Sequence, residues 1–116
     1  MIDYKPTLVS ELKTLGLPVH YELFLKQNTP LPCISYQEGN NITHRDGDTL
    51  GYSYVTFRIK IWAKEVKTIA QYSLEIDKLM RGLGFDRIST NELWVDGIGQ
   101  NLLTYRGLGL ETYKEA

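Results

Sequence analysis

From Tyr52 to Ala63 the chain alternates between a mainly polar side and, from Val55 on, an apolar one. Val55, Phe57, Ile59, Ile61 and Ala63 fall on one side, and Tyr54, Thr56, Arg58, Lys60 and Trp62 on the other. A period of two is that of a strand with one buried face and one mostly polar face. After Lys64 and Glu65 the period changes. Ile69, Tyr72, Ser73, Ile76, Leu79, Met80 and Leu83 recur at spacings of three and four, which predicts a helix ending near Gly84 as its C′ residue. Asp77 and Arg81 form an i,i+4 pair on its flank. At 100° per residue Leu74 points away from the apolar stripe, on the side of Ala70, where no core is expected.

Before the long strand, Leu8, Leu12 and Leu15 follow Pro6 at helical spacing and stop at Gly16 and Pro18, predicting a first helix. Val19 to Leu25 alternates as a half-buried strand. Leu31 to Gln37 reads as a second, with Pro32 at a strand start or an edge because it has no N–H to donate. The fourteen residues from Glu38 to Gly51 carry turn formers and charges with two aliphatics, and predict a long loop or a protruding hairpin. Phe85 to Val95 and Leu102 to Tyr113 are two further strands, joined through Asp96-Gly97-Ile98-Gly99 as an antiparallel hairpin. The order α-β-β-loop-β-α-β-β predicts an α+β fold: a mainly antiparallel sheet of about five strands with two helices packed on one face.

Composition adds bounds. A length of 116 residues fits one domain, 1–116, with one two-layer core. Apolar residues make up 42% and charged residues 23%, a globular mixture in which nothing argues for disorder, collagen or a coiled coil. Lys and Arg number 13 against 14 Asp and Glu, so the basic excess that drives phosphate binding is missing and no specific nucleic-acid binding is expected. No signal-peptide pattern and no membrane-length apolar run occurs, which predicts synthesis in the cytosol and no membrane association.

The chemistry-bearing residues do not converge. His20 and His44 lie 24 positions apart, Cys33 has no second cysteine, and Asp46-Gly47-Asp48 lacks the remaining ligands of a calcium loop. Cys33 sits in the apolar run Leu31-Pro32-Cys33-Ile34, where a thiol is a buried hydrophobe with a raised pKa and a poor nucleophile. The glycine pairs Gly82/Gly84, Gly97/Gly99 and Gly107/Gly109 lack the third glycine of a nucleotide fingerprint, and read as a helix cap, a hairpin turn and a strand bulge. No enzyme, no metal site and no cofactor is expected. Eight tyrosines and two tryptophans exceed what a small core hides, which predicts that some serve an interface.

The ordered set of segments resembles the tail terminator proteins of long-tailed bacteriophages, also called tail completion or tail-to-head joining proteins. The resemblance rests on Pro30-Leu31-Pro32-Cys33-Ile34-Ser35-Tyr36, the polar Asn/Asp/Gly segment after it, Tyr54 to Lys64 running into a helix, and Leu102 to Gly107. It implies a structural virion protein at the head-proximal end of the tail, assembled in the host cytoplasm. Its copies would form a ring, commonly a hexamer, on the last ring of tail tube protein, ending polymerisation and meeting a head-completion or neck protein. Another neck or head-completion component, or a small non-viral adaptor subunit, is the alternative. A closed ring needs two different patches on each subunit. The expected subunit and tube contacts are Asn40, Asn41, His44, Arg45, Asp46 and Asp48 in the polar segment, Arg58, Lys60 and Trp62 on the strand, and Ala70 and Leu74 on the helix.

Overall fold

A computed structural model describes the backbone of residues 5–21, 29–46 and 50–112, and the side chains of residues 5–21, 29–39 and 55–107. The elements are α1 (Lys5–Lys13), β1 (Val19–Tyr21), β2 (Cys33–Asp46), β3 (Leu50–Ala63), α2 (Val66–Gly82), β4 (Phe85–Val95) and β5 (Ile98–Thr112). The five strands form one sheet in the order β1-β2-β3-β5-β4. β1 runs parallel to β2, and the other three pairs are antiparallel. The expected α+β architecture, two helices with a five-stranded and mainly antiparallel sheet, is the one observed.

The alternation of β3 is what makes the core. Val55, Phe57, Ile59 and Ile61 are fully buried and Ala63 nearly so. Ile34 of β2 and Leu103 and Tyr105 of β5 share their side of the sheet through the strand register. Ile69, Ile76 and Met80 of α2 cover that side, together with Leu8 and Leu12 of α1. Tyr72, Leu79 and Leu83 pack at the margin. α2 stops where Gly84, at φ +91°, takes the left-handed conformation that glycine adopts without a steric penalty, its N–H bonded to the Arg81 carbonyl at 3.0 Å. The turn from β4 to β5 places Asp96 (φ 53°) and Gly97 (φ 78°) in two successive left-handed positions, the two-residue hairpin geometry expected of an Asp-Gly pair.

Of the two forms open to the polar segment 38–51, the structure shows the hairpin. β2 runs on to Asp46 and β3 begins at Leu50, with Asp46 opposite Leu50; residues 47–49 lie outside the described residues. Composition alone underrated these strands because pairing supplies what intrinsic propensity does not: Leu50 to Tyr54 of β3 is held by β2 on one side and by Thr112 to Leu108 of β5 on the other. The strand expected from Val19 to Leu25 is described over Val19–Tyr21, and its remainder lies outside the described residues.

Gly107 corrects a further expectation. It sits in regular register between Val55 and Phe85 rather than in a bulge. It is glycine because the Phe85 ring lies on it, where a Cβ would come within 2.5 Å of a ring carbon. The register irregularities fall elsewhere, between Glu38 and Asn40 in the β2–β3 pair and between Arg87 and Ser89 in the β4–β5 pair.

Candidate assembly surfaces

The sheet divides the expected contact residues into three places. Arg58, Lys60 and Trp62 occupy the face of β3 turned away from the helices, alternating with the buried row. Lys60 Nζ stands 5.4 Å from the centroid of the Trp62 ring, a cation–π contact. The indole is half-buried, and its Nε1 donates to Ser35 Oγ at 2.9 Å. Trp62 also lines a cleft of about 340 Å³ with Leu93, Val95, Asp96, Ile98 and Gln100. Gln100 Oε1 is buried there without a hydrogen-bond partner.

Ala70 and Leu74 belong to the opposite side of the molecule. Both are exposed, Leu74 at 72%, as the helical spacing predicted. Their flank of α2 is fixed by its polar neighbours. Asn101 Nδ2 donates to Ser73 Oγ at 2.9 Å, and Asp77 accepts from Tyr105 Oη at 2.9 Å and lies 3.6 Å from Arg87 Nη1 of β4. Burial, and then the hydrogen bond to Asp77, pushes the Tyr105 phenol well above its ordinary pKa. Val66 and Ala70 lie about 20° from Asp77 around the helix and Leu74 about 60°, so this flank overlooks β4.

Asn40, Asn41, His44, Arg45 and Asp46 are carried by the outer half of β2, opposite β3 residues 50–56. Asp48 lies outside the described residues. The structure therefore does not gather the expected contacts into one patch: the arm continues along β2 and β3 from the part of the sheet that carries Arg58, Lys60 and Trp62, and the helix flank lies on the other side of the sheet.

Sequence periodicity did not single out β4. Beyond the buried Phe85 every residue of this strand is exposed, on both faces. Ile88, Leu93, Trp94 and Val95 are 52%, 53%, 37% and 57% exposed. Trp94 leans back over Gly99, and its Nε1 donates to Glu92 Oε2 at 2.7 Å. Three consecutive apolar residues, Leu93-Trp94-Val95, put bulk on both faces of one strand, and that was the available signal.

Cys33 is fully buried, and burial raises its thiol pKa to about 11, which leaves it a core residue and not a nucleophile at neutral pH. Among the described residues no cluster of three or more His, Cys, Asp or Glu could hold a metal ion, and no helix is long and apolar enough to cross a membrane.

Comparison with known proteins found no matching family model and no matching curated protein. Among solved structures the fold is similar to that of a chain in the virion of a native gene transfer agent particle. The likeness has a TM-score of 0.61 and 13% sequence identity, and covers 85% of this chain and 88% of that one. At that identity it is a likeness of fold.

Proposed function

We propose that this protein is a structural component of a phage-like virion, and within it the subunit that forms a ring on the end of the tail tube, ends tube polymerisation and joins tail to head. The observation that carries the reading is the fold it shares, over most of both chains, with a virion component. The sequence resemblance to tail terminators supports the finer role, and the surfaces suit it. A standard protein interface takes about 800 Å² from each partner, so a ring subunit with two neighbours commits about 1,600 Å². The exposed surface totals 7296 Å², and among the described residues the large apolar side chains left exposed lie on α2, β4 and β1, where neighbours can cover them.

In this reading the chain is no enzyme. Its partners are further copies of itself, commonly six to a ring, the tail tube protein and a neck protein, and its place is the head-proximal end of the tail. The polar arm with Asn40, Asn41, His44, Arg45, Asp46 and Asp48, and the face with Arg58, Lys60 and Trp62, are the proposed contacts with tube or neighbour. Electron microscopy of particles made without this protein tests the role. Overlong, headless tails are expected. Tails of normal length would refute tube capping and favour another neck position.

A further inference from the structure

Every large apolar side chain left exposed among the described residues lies toward one of two opposite margins of the sheet. Ile88, Leu93, Trp94 and Val95 belong to β4, Val66 and Leu74 to the α2 flank above it, and Tyr21 to β1 at the other margin. β4 is an edge strand of 11 residues whose outer side meets no other strand among the described residues. A strand edge of this length offers a row of backbone N–H and C=O groups to another strand, and four large apolar side chains stand exposed along it.

The two margins are complementary. β1, β2 and β5 point one way, and β3 and β4 the other. Copies repeated about an axis along the strands keep these directions, so β4 of one copy meets β1 of the next in the antiparallel sense. The heights agree as well. One unbroken row of register partners runs from His20 through Ser35, Lys60 and Leu102 to Asn91. The adjacent rows tie Val19 to Glu92 and Tyr21 to Thr90, so without any slip the three residues of β1 face the middle of β4. Side-chain direction is conserved along a row, and directly opposite antiparallel residues point to the same face, so the pleats match too.

The row of His20 ends at Asn91, a residue exposed on the open edge.

We infer that copies of this chain share one sheet, β4 of one copy pairing antiparallel with β1 of the next. Glu92, Asn91 and Thr90 lie opposite Val19, His20 and Tyr21. The inference deepens the ring reading above and rests on it for the cyclic arrangement. Leu93, Val95 and the α2 flank supply the apolar cover around the shared strands.

Disulfide trapping on the full chain tests the register. Directly opposite antiparallel residues have Cα atoms about 4.5–5.5 Å apart, within disulfide range. The native Cys33 is buried and does not compete. A chain carrying both His20→Cys and Asn91→Cys should give, on mild oxidation, a ladder of linked chains ending in one closed species, whereas either change alone gives none. The reaction is run on the free protein and on protein sedimented with tail tubes. Linked dimers from Asn91→Cys alone would overturn the pairing in favour of β4 against β4. A ring seen by sedimentation without any ladder, or no linking in either preparation, would also overturn it. Failure to sediment with tubes, with the ladder intact, would instead sink the tail reading and leave the pairing standing. A second variant, Leu93→Lys, changes an exposed side chain; it should unfold as the parent does and lose assembly. Assembly unchanged from the parent would count against the edge contact.

Discussion

Removing one hydroxyl, Tyr105→Phe, tests how α2 is held on the sheet. Tyr105 is fully buried, and its phenol donates to Asp77, whose side chain is 16% exposed and also pairs with Arg81 at 2.9 Å and Arg87 at 3.6 Å. A hydrogen bond to a charged group contributes about 1.5–3 kcal/mol. The lower end applies, because the carboxylate keeps two guanidinium partners and some water, so the expected loss is about 1.5 kcal/mol. For 116 residues an unfolding entropy of about 2.1 cal/mol/K per residue converts that loss into a midpoint about 6 °C lower. Asp77→Ala should cost more, about 2.5 kcal/mol, since it strands a buried phenol; the Arg81 pair adds only a few tenths because that arginine is mostly exposed. Urea unfolding of both single variants and the double variant gives the coupling. The double variant should cost about 2.5 kcal/mol, well short of the sum. Additive losses within about 0.3 kcal/mol would show that the two groups act independently and would refute the reasoning.

Gly107→Ala should destabilise by about 1–3 kcal/mol by overpacking, because the new methyl meets the Phe85 ring, itself set edge-on against Phe57 at 5.8 Å. Adding Phe85→Leu should recover part of that loss in the same urea titration, and a strictly additive pair would exclude the ring as the cause. Cys33 makes stability depend on alkaline pH. Its folded pKa is raised from 9.0 to about 11, so its contribution is complete below pH 9 and is lost as pH rises through about 11. The difference in unfolding free energy between the parent and Cys33→Ala should shrink across that window by about 2–3 kcal/mol. A difference that stays constant from pH 8 to 11.5 would count against it.

The covered core was legible in the sequence because two periods act on it at once. The period of two in β3 and the spacing of three and four in α2 each mark one apolar face, and the two faces can only meet. Leu74 was legible for the converse reason, as an aliphatic off the stripe. Two things were not. The strand character of the Asn- and Asp-rich arm depends on β3 being paired on both sides, information that no local window holds. Exposure along β4 depends on how far α2 reaches, and an alternating or apolar strand reads the same whether a helix lies above it or stops short. Gly107 was misread because a glycine in a strand signals either a bulge or a close approach, and only the neighbour, Phe85, decides which.

The two register irregularities lie in the β2–β3 and β4–β5 pairs, while the β3–β5 ladder between them runs regularly from Leu50 to Ala63. A bulge sharpens the local right-handed twist and bends the strand that carries it. The outer half of β2 and the start of β4 are therefore turned relative to the ladder between them. In the proposed assembly, units joined margin to margin form a ring where the rotation from one copy to the next closes. Where that rotation does not close, the same contact gives an open filament, so the bend carried by these strands sets which of the two forms.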